Sequence, residues 1–567
     1  MIVRIGISFM RKCPQVSCVP MVLFWGVWLG VLLLHFVSMF KIPLPWMDEV
    51  HILEMGRHVL GFSSLDSSYI TESNGSYLLP FYYLGPALQE GFYRLLGFAG
   101  PRLSSMVGLL AAAFFCRQWL LKRTGNGWMS TVLALTFLTH PLLVQSVRSV
   151  RIDSWACAVC FISVSLLSRA ATLSEKKQPY IFFLLGVLSV TGVFIWPSAV
   201  LFFPFYLVEL INLSNADPSI KKRLIRLFFC AVAGALTSAL VLLLPIAHLV
   251  RIIIQGLNTY FTEFQPTGAT ISFFSVLRGL FICFSKEFLR APFFFLLAGF
   301  GLLVSLRKPV LMTGFVVALF VGVLSTLHSF RLLYLIPFFM LFALNGFQML
   351  SKKTPRTALF FIGCLLAYGF STGSLAYAGM SLLLKGRSHE LMTARLRETV
   401  GAGPLRVYSL TYQDYYSARE LGWKHSRYTV GSYIFDDEKH AHLLDGVDFV
   451  IDSQQLPYYA VEESFTFYSL FFRDVMIRSA VEEQGNSGMS LSAKTGQALA
   501  FASLSDKEQQ RFDKKLISSG FKIMAVIDLT VPVSAYTPSQ QWILSKLAVN
   551  PDYDRLIVWA RAKQAEQ

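Results

Sequence analysis

From Met21 to Leu384 the chain alternates long apolar runs with short basic breaks, and beyond that point it gives way to mixed polar sequence. A helix needs about 20 mostly apolar residues to cross the hydrocarbon core of a bilayer. The runs predict spans over Met21–Phe40, Leu103–Leu121, Trp128–Val144, Asp153–Leu167, Ile181–Ile195, Ala199–Ile211, Leu227–Ile246, Pro292–Leu306, Val310–Leu327, Leu332–Leu350 and Ala358–Leu384. That is about eleven crossings. In the tail, Leu405–Leu410, Val447–Asp452, Ile523–Leu529 and Leu556–Trp559 read as strands between helical patterns. The expected fold is therefore an all-α polytopic membrane domain over residues 1–384, followed by an α/β soluble extracytoplasmic domain over 385–567.

Charge orients these spans. The first run follows Arg4, Arg11 and Lys12 and has no small-residue cleavage site, so it reads as a retained anchor with the N-terminus in the cytoplasm. Alternation then places Lys122 and Arg123, Arg169 with Lys176 and Lys177, Lys221 to Arg226, Arg307 with Lys308, and Lys352 to Arg356 inside, as the positive-inside rule requires. Reading Ile181–Ile211 as one helix kinked at Trp196-Pro197 would move three of these clusters outside, so two crossings are preferred. An odd total puts the tail on the outer face, together with the loops 41–102 and 251–290.

Composition narrows the class. Of 567 residues, 54% are hydrophobic and only 15% charged, and the mean hydropathy is +0.53. An ordinary soluble globule, a disordered chain and a small disulfide scaffold are excluded. The net charge of +16 belongs to the part before Lys385, since the tail carries 21 basic and 22 acidic residues. These cations punctuate apolar segments and form no binding stripe, so nucleic acid is not an expected partner and membrane lipids are. All eight Cys precede the tail, and the Cys157-x-x-Cys160 pair lies inside an apolar run, where helix packing outweighs redox or metal chemistry.

Three groups carry candidate chemistry. Asp48 and Glu49 follow the first span, with Asp48 placed as an N-cap before an amphipathic run to Leu60 that reads as a membrane-surface helix. They suit either a helix N-terminus or a general base acting on a hydroxyl. Arg148-x-x-Arg151-x-Asp153 puts two guanidinium groups on the side that the positive-inside rule disfavours. Such forks suit an anionic phosphate, although snorkelling or pairing with Asp153 is the plainer alternative. Arg331 and Tyr334 open a span in the same disfavoured setting, and Lys286 and Arg290 add cations there. His51, Glu54 and His58 share a helical face, where the solvated side of a surface helix is expected over a metal site.

The order of these features resembles the C-type glycosyltransferases that use polyprenyl-phosphate sugars, in the branch of the lipid A aminoarabinose transferases and protein O-mannosyltransferases. Asp48-Glu49 matches that group's acidic pair after the first helix. Pro80-Phe81-Tyr82-Tyr83 through Gly97 and Arg102-Leu103-Ser104-Ser105 resembles its loop into the second helix. Arg148, Arg151 and Asp153 resemble its Arg-x-x-Arg-x-Asp motif, and Phe330-Arg331-Leu332-Leu333-Tyr334 to Pro337 its Arg-Tyr-Leu-Leu-Pro stretch. The chain departs from the pattern at Val50, Leu53, Leu79 and Ile195-Trp196.

The resemblance implies a transferase of the bacterial inner membrane with a periplasmic tail. Its donor is a sugar on undecaprenyl or dolichyl phosphate. Its acceptor is a hydroxyl of a lipid A-like lipid, a glycan or a protein. Asp48 serves as general base, and Arg148, Arg151, Arg331 and Lys286 meet the donor phosphate, with Asp153, Tyr334, Tyr82 and Tyr83 lining the substrate site. Glu49 orients Asp48, contacts the acceptor or binds a divalent metal, with His51, Glu54 and His58 as weaker ligand candidates. The competing class is a non-enzymatic transporter or lipid-binding protein. It suits the outer basic rim but lacks the internal repeats and mid-membrane charges common in transporters.

Overall fold

A computed structural model describes residues 18–39, 47–60, 82–148, 150–244, 291–325, 332–354, 389–409, 414–427, 444–453, 513–528, 533–539 and 555–562, with scattered positions over 281–288, 356–368 and at 541. Its principal helices are α1 (Val19–Met39), α2 (Met47–Val59), α3 (Leu84–Leu96), α4 (Gly100–Thr124), α5 (Gly127–Leu138), α6 (Pro141–Arg148), α7 (Asp153–Ala170), α8 (Gln178–Ile195), α9 (Phe203–Ala216), α10 (Pro218–Leu243), α11 (Pro292–Ser305), α12 (Pro309–Ser325), α13 (Ile336–Lys353), α14 (His389–Thr399) and α15 (Tyr415–Glu420). Five strands follow the same numbering: β1 (Arg406–Ser409), β2 (Lys424–Arg427), β3 (Phe449–Ser453), β4 (Phe521–Asp528) and β5 (Arg555–Arg561). The chain divides into two compact units, one of Met1–His35 with Leu78–Gly373 and one of Phe36–Tyr77 with Ser374–Gln567.

The first unit is a helical bundle. Among the described residues, six helices are long and apolar enough to cross a membrane. The span over Leu333–Lys352 is 83% buried and that over Ile220–Leu243 only 17% buried, so the former is the centre of the bundle and the latter its rim. Phe228, Phe229, Leu236, Leu240 and Val241 of α10 stand exposed, as side chains facing lipid do.

Lipid tails are as apolar as the helices themselves, so close backbone approach replaces the hydrophobic drive between them. Gly186 of α8 lies against the backbone of Ala231 in α10, and Gly234 of α10 lies against Phe183 of α8. Gly301 of α11 and Gly346 of α13 meet in the same way, each against the other helix's backbone. A polar tie supplements this packing: Glu209 of α9 accepts from Trp119 at 3.0 Å and pairs with Arg123 at 2.8 Å.

Two expectations change. The apolar run Trp128–Val144 is not one helix but two, α5 and α6, parted at Thr139-His140 because Pro141 cannot extend the first. Residues 84–96, expected in a loop, form α3, which continues through a short 3-10 turn into α4. The Trp196-Pro197 break is real: Trp196 is extended at φ −154°, ψ 121°, and separates α8 from a 3-10 turn over Pro197–Phe202 and then α9. Cys116, Cys157 and Cys160 are buried free thiols, in keeping with a packing role.

Among the described residues the second unit holds a five-stranded sheet in the order β2-β1-β3-β5-β4. The β1 strand runs parallel to β2 and β3, while β5 runs antiparallel to β3 and β4. Alternation sends Val407, Phe449, Ile451, Val558 and Ala560 to one face, against Met392 and Leu396 of α14 and Ala418 of α15. Tyr408, Val450, Ile557 and Trp559 go to the other, with Leu444, Leu516 and Phe521. The four expected strands are present, and β2, whose Lys-His-Ser-Arg sequence has no apolar alternation, is additional.

The α2 helix also belongs to this unit. Val50, Ile52, Leu53 and Met55 are buried along it. The described helix runs from Met47, so Asp48 falls within it and not ahead of it.

Candidate active site

The first cluster lies in the helical unit, at the turn between α6 and α7. Val150 has a φ of 55°, a left-handed conformation that a β-branched residue rarely adopts and that costs about 1–2 kcal/mol. The turn is held on several sides. Arg151 N–H donates to the Ser146 carbonyl at 2.9 Å. Buried Gln89 of α3 donates to the Val150 carbonyl at 3.2 Å and to Ser105 Oγ at 2.7 Å, and Ser105 in turn donates to the Arg151 carbonyl at 3.0 Å.

These bonds present Arg151 and Asp153. Arg151 Nε pairs with Asp153 Oδ2 at 2.6 Å, with 13% of the arginine side chain and none of the aspartate accessible. Tyr334 donates its hydroxyl to Asp153 Oδ1, and Ser146 Oγ stands 3.4 Å from Oδ2. Arg151 also lies 5.8 Å from the ring centre of Trp196, which packs edge-on with Tyr82 at 5.3 Å. Tyr83 donates to the Leu242 carbonyl at 3.0 Å, tying the start of α3 to α10. Arg151, Asp153, Tyr334 and Tyr82 are thus brought into one cluster. The side chains of Arg148, Lys286 and Arg331 lie outside the described residues, as does Arg290.

The second cluster lies in the other unit, where α2 meets α15. Glu49 is fully buried and accepts from the Tyr416 hydroxyl. Glu54, 5% exposed, accepts from Tyr415 at 2.5 Å and pairs with Arg57 at 3.3 Å. Arg419 donates to the Tyr415 hydroxyl at 3.3 Å. Behind Tyr416, His389 packs edge-on at 6.0 Å and bonds Glu420 at 2.7 Å, and that bond holds the Glu420 carboxyl below its ordinary value.

Glu54 therefore does not stand on a solvated face, as its spacing suggested. The buried phenol of Tyr415 draws it into the protein. The side chains of Asp48, His51 and His58 lie outside the described residues. Among those described, no group of three or more His, Cys, Asp or Glu is placed to hold a metal ion.

Sequence reasoning did not single out Gln89, Tyr415 or Tyr416, and it met Trp196 only as a break in a helix and a departure from the family pattern. Nothing local marks the two tyrosines, since adjacent aromatics after Asp414 read as ordinary core. Ser105 was visible only as part of the Arg-Leu-Ser-Ser stretch.

No protein-family model and no curated protein matches the chain. Among solved structures, it is similar to ArnT from Cupriavidus metallidurans bound to undecaprenyl phosphate, at 13% identity and a TM-score of 0.47, over 78% of this chain and 94% of that one. The apo form of the same protein matches at 14% identity with the same TM-score and coverage.

Proposed function

We propose that this chain is an integral-membrane glycosyltransferase that moves a sugar from a polyprenyl-phosphate donor to a hydroxyl acceptor at the outer face of a bacterial inner membrane. The observation that carries this reading is the turn at Arg151. A backbone conformation that costs free energy persists only where its surroundings over-determine it, and such strain is concentrated at functional sites. Here the strain sets the direction of a guanidinium whose Nε edge is fixed by a buried carboxylate and whose carbon lies over an aromatic ring. That is a preorganised cation of the kind that suits phosphate.

In this reading Arg151 and Arg148, with Arg331 and Lys286, meet the donor phosphate. The charge on that phosphate grows as the glycosidic carbon–oxygen bond breaks, so their help is greatest in the transition state. Asp153 and Tyr334 hold Arg151 in place, and Tyr82 lines the donor site beside Trp196. Tyr83 supports it through its bond to α10. Asp48 takes the proton from the acceptor hydroxyl as that oxygen attacks the anomeric carbon, and the configuration inverts. Glu49 acts beside it on the same turn of α2. Eleven crossings with a periplasmic C-terminal domain complete the topology.

The donor class is tested by photocrosslinking. Membranes carrying the wild type, Arg148→Ala or Arg151→Ala at equal protein level are exposed to a photoreactive undecaprenyl phosphate. Losing one charge-assisted contact lowers affinity by about tenfold or more, so labelling of both variants should drop accordingly. Labelling equal to the wild type, or a loss that tracks expressed protein, would overturn the phosphate assignment.

A further inference from the structure

We infer that Tyr416 is a positioning residue for the acidic pair, so that the C-terminal domain takes part in the transfer step as well as in folding. The inference rests on the reading of Asp48 and Glu49 as catalytic. Its geometric basis is a double attachment. Glu49 and Glu54 are five residues apart on α2, a rise of about 7.5 Å and nearly one and a half turns. Adjacent phenols of α15 reach both: Tyr416 binds Glu49 and Tyr415 binds Glu54. One such bond would leave α2 able to roll about the contact. Two at different heights fix its rotation and its axial position together, and with them the turn that carries Asp48.

The chemistry argues that this arrangement serves more than stability. A carboxylate with no accessible surface is costly to bury, and apolar residues of similar volume usually serve a core as well or better. Glu49 is nonetheless fully buried on a helix already anchored by Val50, Ile52, Leu53 and Met55. Tyr416 is itself immobilised. His389 packs against its ring and is held by Glu420, while Ser417 beside it bonds Thr393 of α14 at 2.8 Å. The sheet's helical layer thus forms a fixed backing for Glu49.

The test uses the full chain in proteoliposomes, with Tyr416→Phe, Tyr415→Phe, Glu49→Gln and the double variant Tyr416→Phe/Glu49→Gln. Thermal unfolding should show that Tyr416→Phe costs less once Glu49→Gln is present, because a bond to a neutral amide oxygen is weaker than the charge-assisted bond to the carboxylate. Transfer is then followed with the polyprenyl-phosphate form of whichever sugar an envelope comparison of wild-type and deletion strains identifies. Tyr416→Phe should lower kcat about tenfold with half-saturating donor unchanged, whereas Tyr415→Phe, an equal chemical deletion farther from Asp48, should stay within about twofold despite a similar loss of melting temperature. Tyr416→Phe should have a clearly smaller effect on kcat in the Glu49→Gln background than in the wild type.

Additive melting effects would remove the bond, and equal kcat losses for the two tyrosines would reduce Tyr416 to a docking contact. Either result overturns the inference while leaving the transferase reading intact. An envelope profile unchanged by deletion would instead sink the transferase reading, and the positioning role with it, whatever the melting cycle shows.

Discussion

Replacing Tyr334 by Phe removes one oxygen from the centre of the Arg151 cluster and leaves the ring where it is. Tyr334 is 1% exposed, its ring packs 5.0 Å from that of Phe202, and its hydroxyl donates to Asp153. The ring contacts survive, so no sizeable cavity opens and the loss is that of a hydrogen bond to a buried charge, about 1.5–3 kcal/mol. Asp153 keeps its 2.6 Å partner Arg151, so the carboxylate is weakened in its bonding but not abandoned. A loss of about 2 kcal/mol corresponds to a fall of roughly 4 °C in melting temperature for a domain of a few hundred residues. Ser146→Ala is the internal control. Its 3.4 Å contact with Asp153 is long, and its removal should cost under about 1 kcal/mol. Thermal unfolding of the purified protein in detergent measures both. If Tyr334→Phe melts with the wild type, or Ser146→Ala costs as much, the account of how Asp153 is held is wrong.

Other outcomes follow from the packing and the charges. Gly301→Ala places a methyl group against the backbone of Phe342 and Gly346, so it should destabilise by about 1–3 kcal/mol, whereas Gly299→Ala, with open space around it, should melt as the wild type or slightly higher. In the second unit, His389 holds Glu420 below its ordinary pKa of 4.5, so the pair's stabilisation is present above that pH and is lost as pH falls through the depressed folded value. With Glu420 44% exposed, Glu420→Gln should cost well under about 1 kcal/mol at neutral pH, and its melting curve should converge with the wild type below pH 4.5. For topology, single cysteines at Lys177 and Lys308 in a cysteine-free background should be labelled from the cytoplasmic side, and one at Lys522 from the opposite side. Labelling of Lys177 and Lys522 from the same side would reject eleven crossings.

Much of the fold was legible because crossing a bilayer demands apolar length, and that demand is written in the sequence. The exceptions have physical causes. Hydropathy averages across Pro141 and so hides the break between α5 and α6, although the proline itself was a visible warning. Among the described strands β2 lies at the edge of the sheet, paired with β1 alone, and its polar sequence carries no period-2 signal. The Arg151–Asp153 pair could be read from a spacing of two residues, but Tyr334, 181 positions away, could be matched to it only through the resemblance. Val150 is a less legible case: glycine or asparagine would have flagged a left-handed turn, and valine conceals one. Glu49 was singled out as a charge beside a span, yet its partner Tyr416 is 367 residues distant and looks like any core aromatic. Amphipathic spacing placed Glu54 on a wet face, because periodicity does not reveal that a phenol from another element has come to meet it.

Mass spectrometry of envelope lipids and glycans tests the central claim most directly, comparing cells that carry the native protein, a deletion, or Asp48→Asn at matched protein level. A glycosyltransferase with Asp48 as its base requires that one sugar mass vanish from the same acceptor in both altered strains. A profile that changes in the deletion but is normal with Asp48→Asn would contradict that role for Asp48, and a profile unchanged in all three strains would contradict transfer itself.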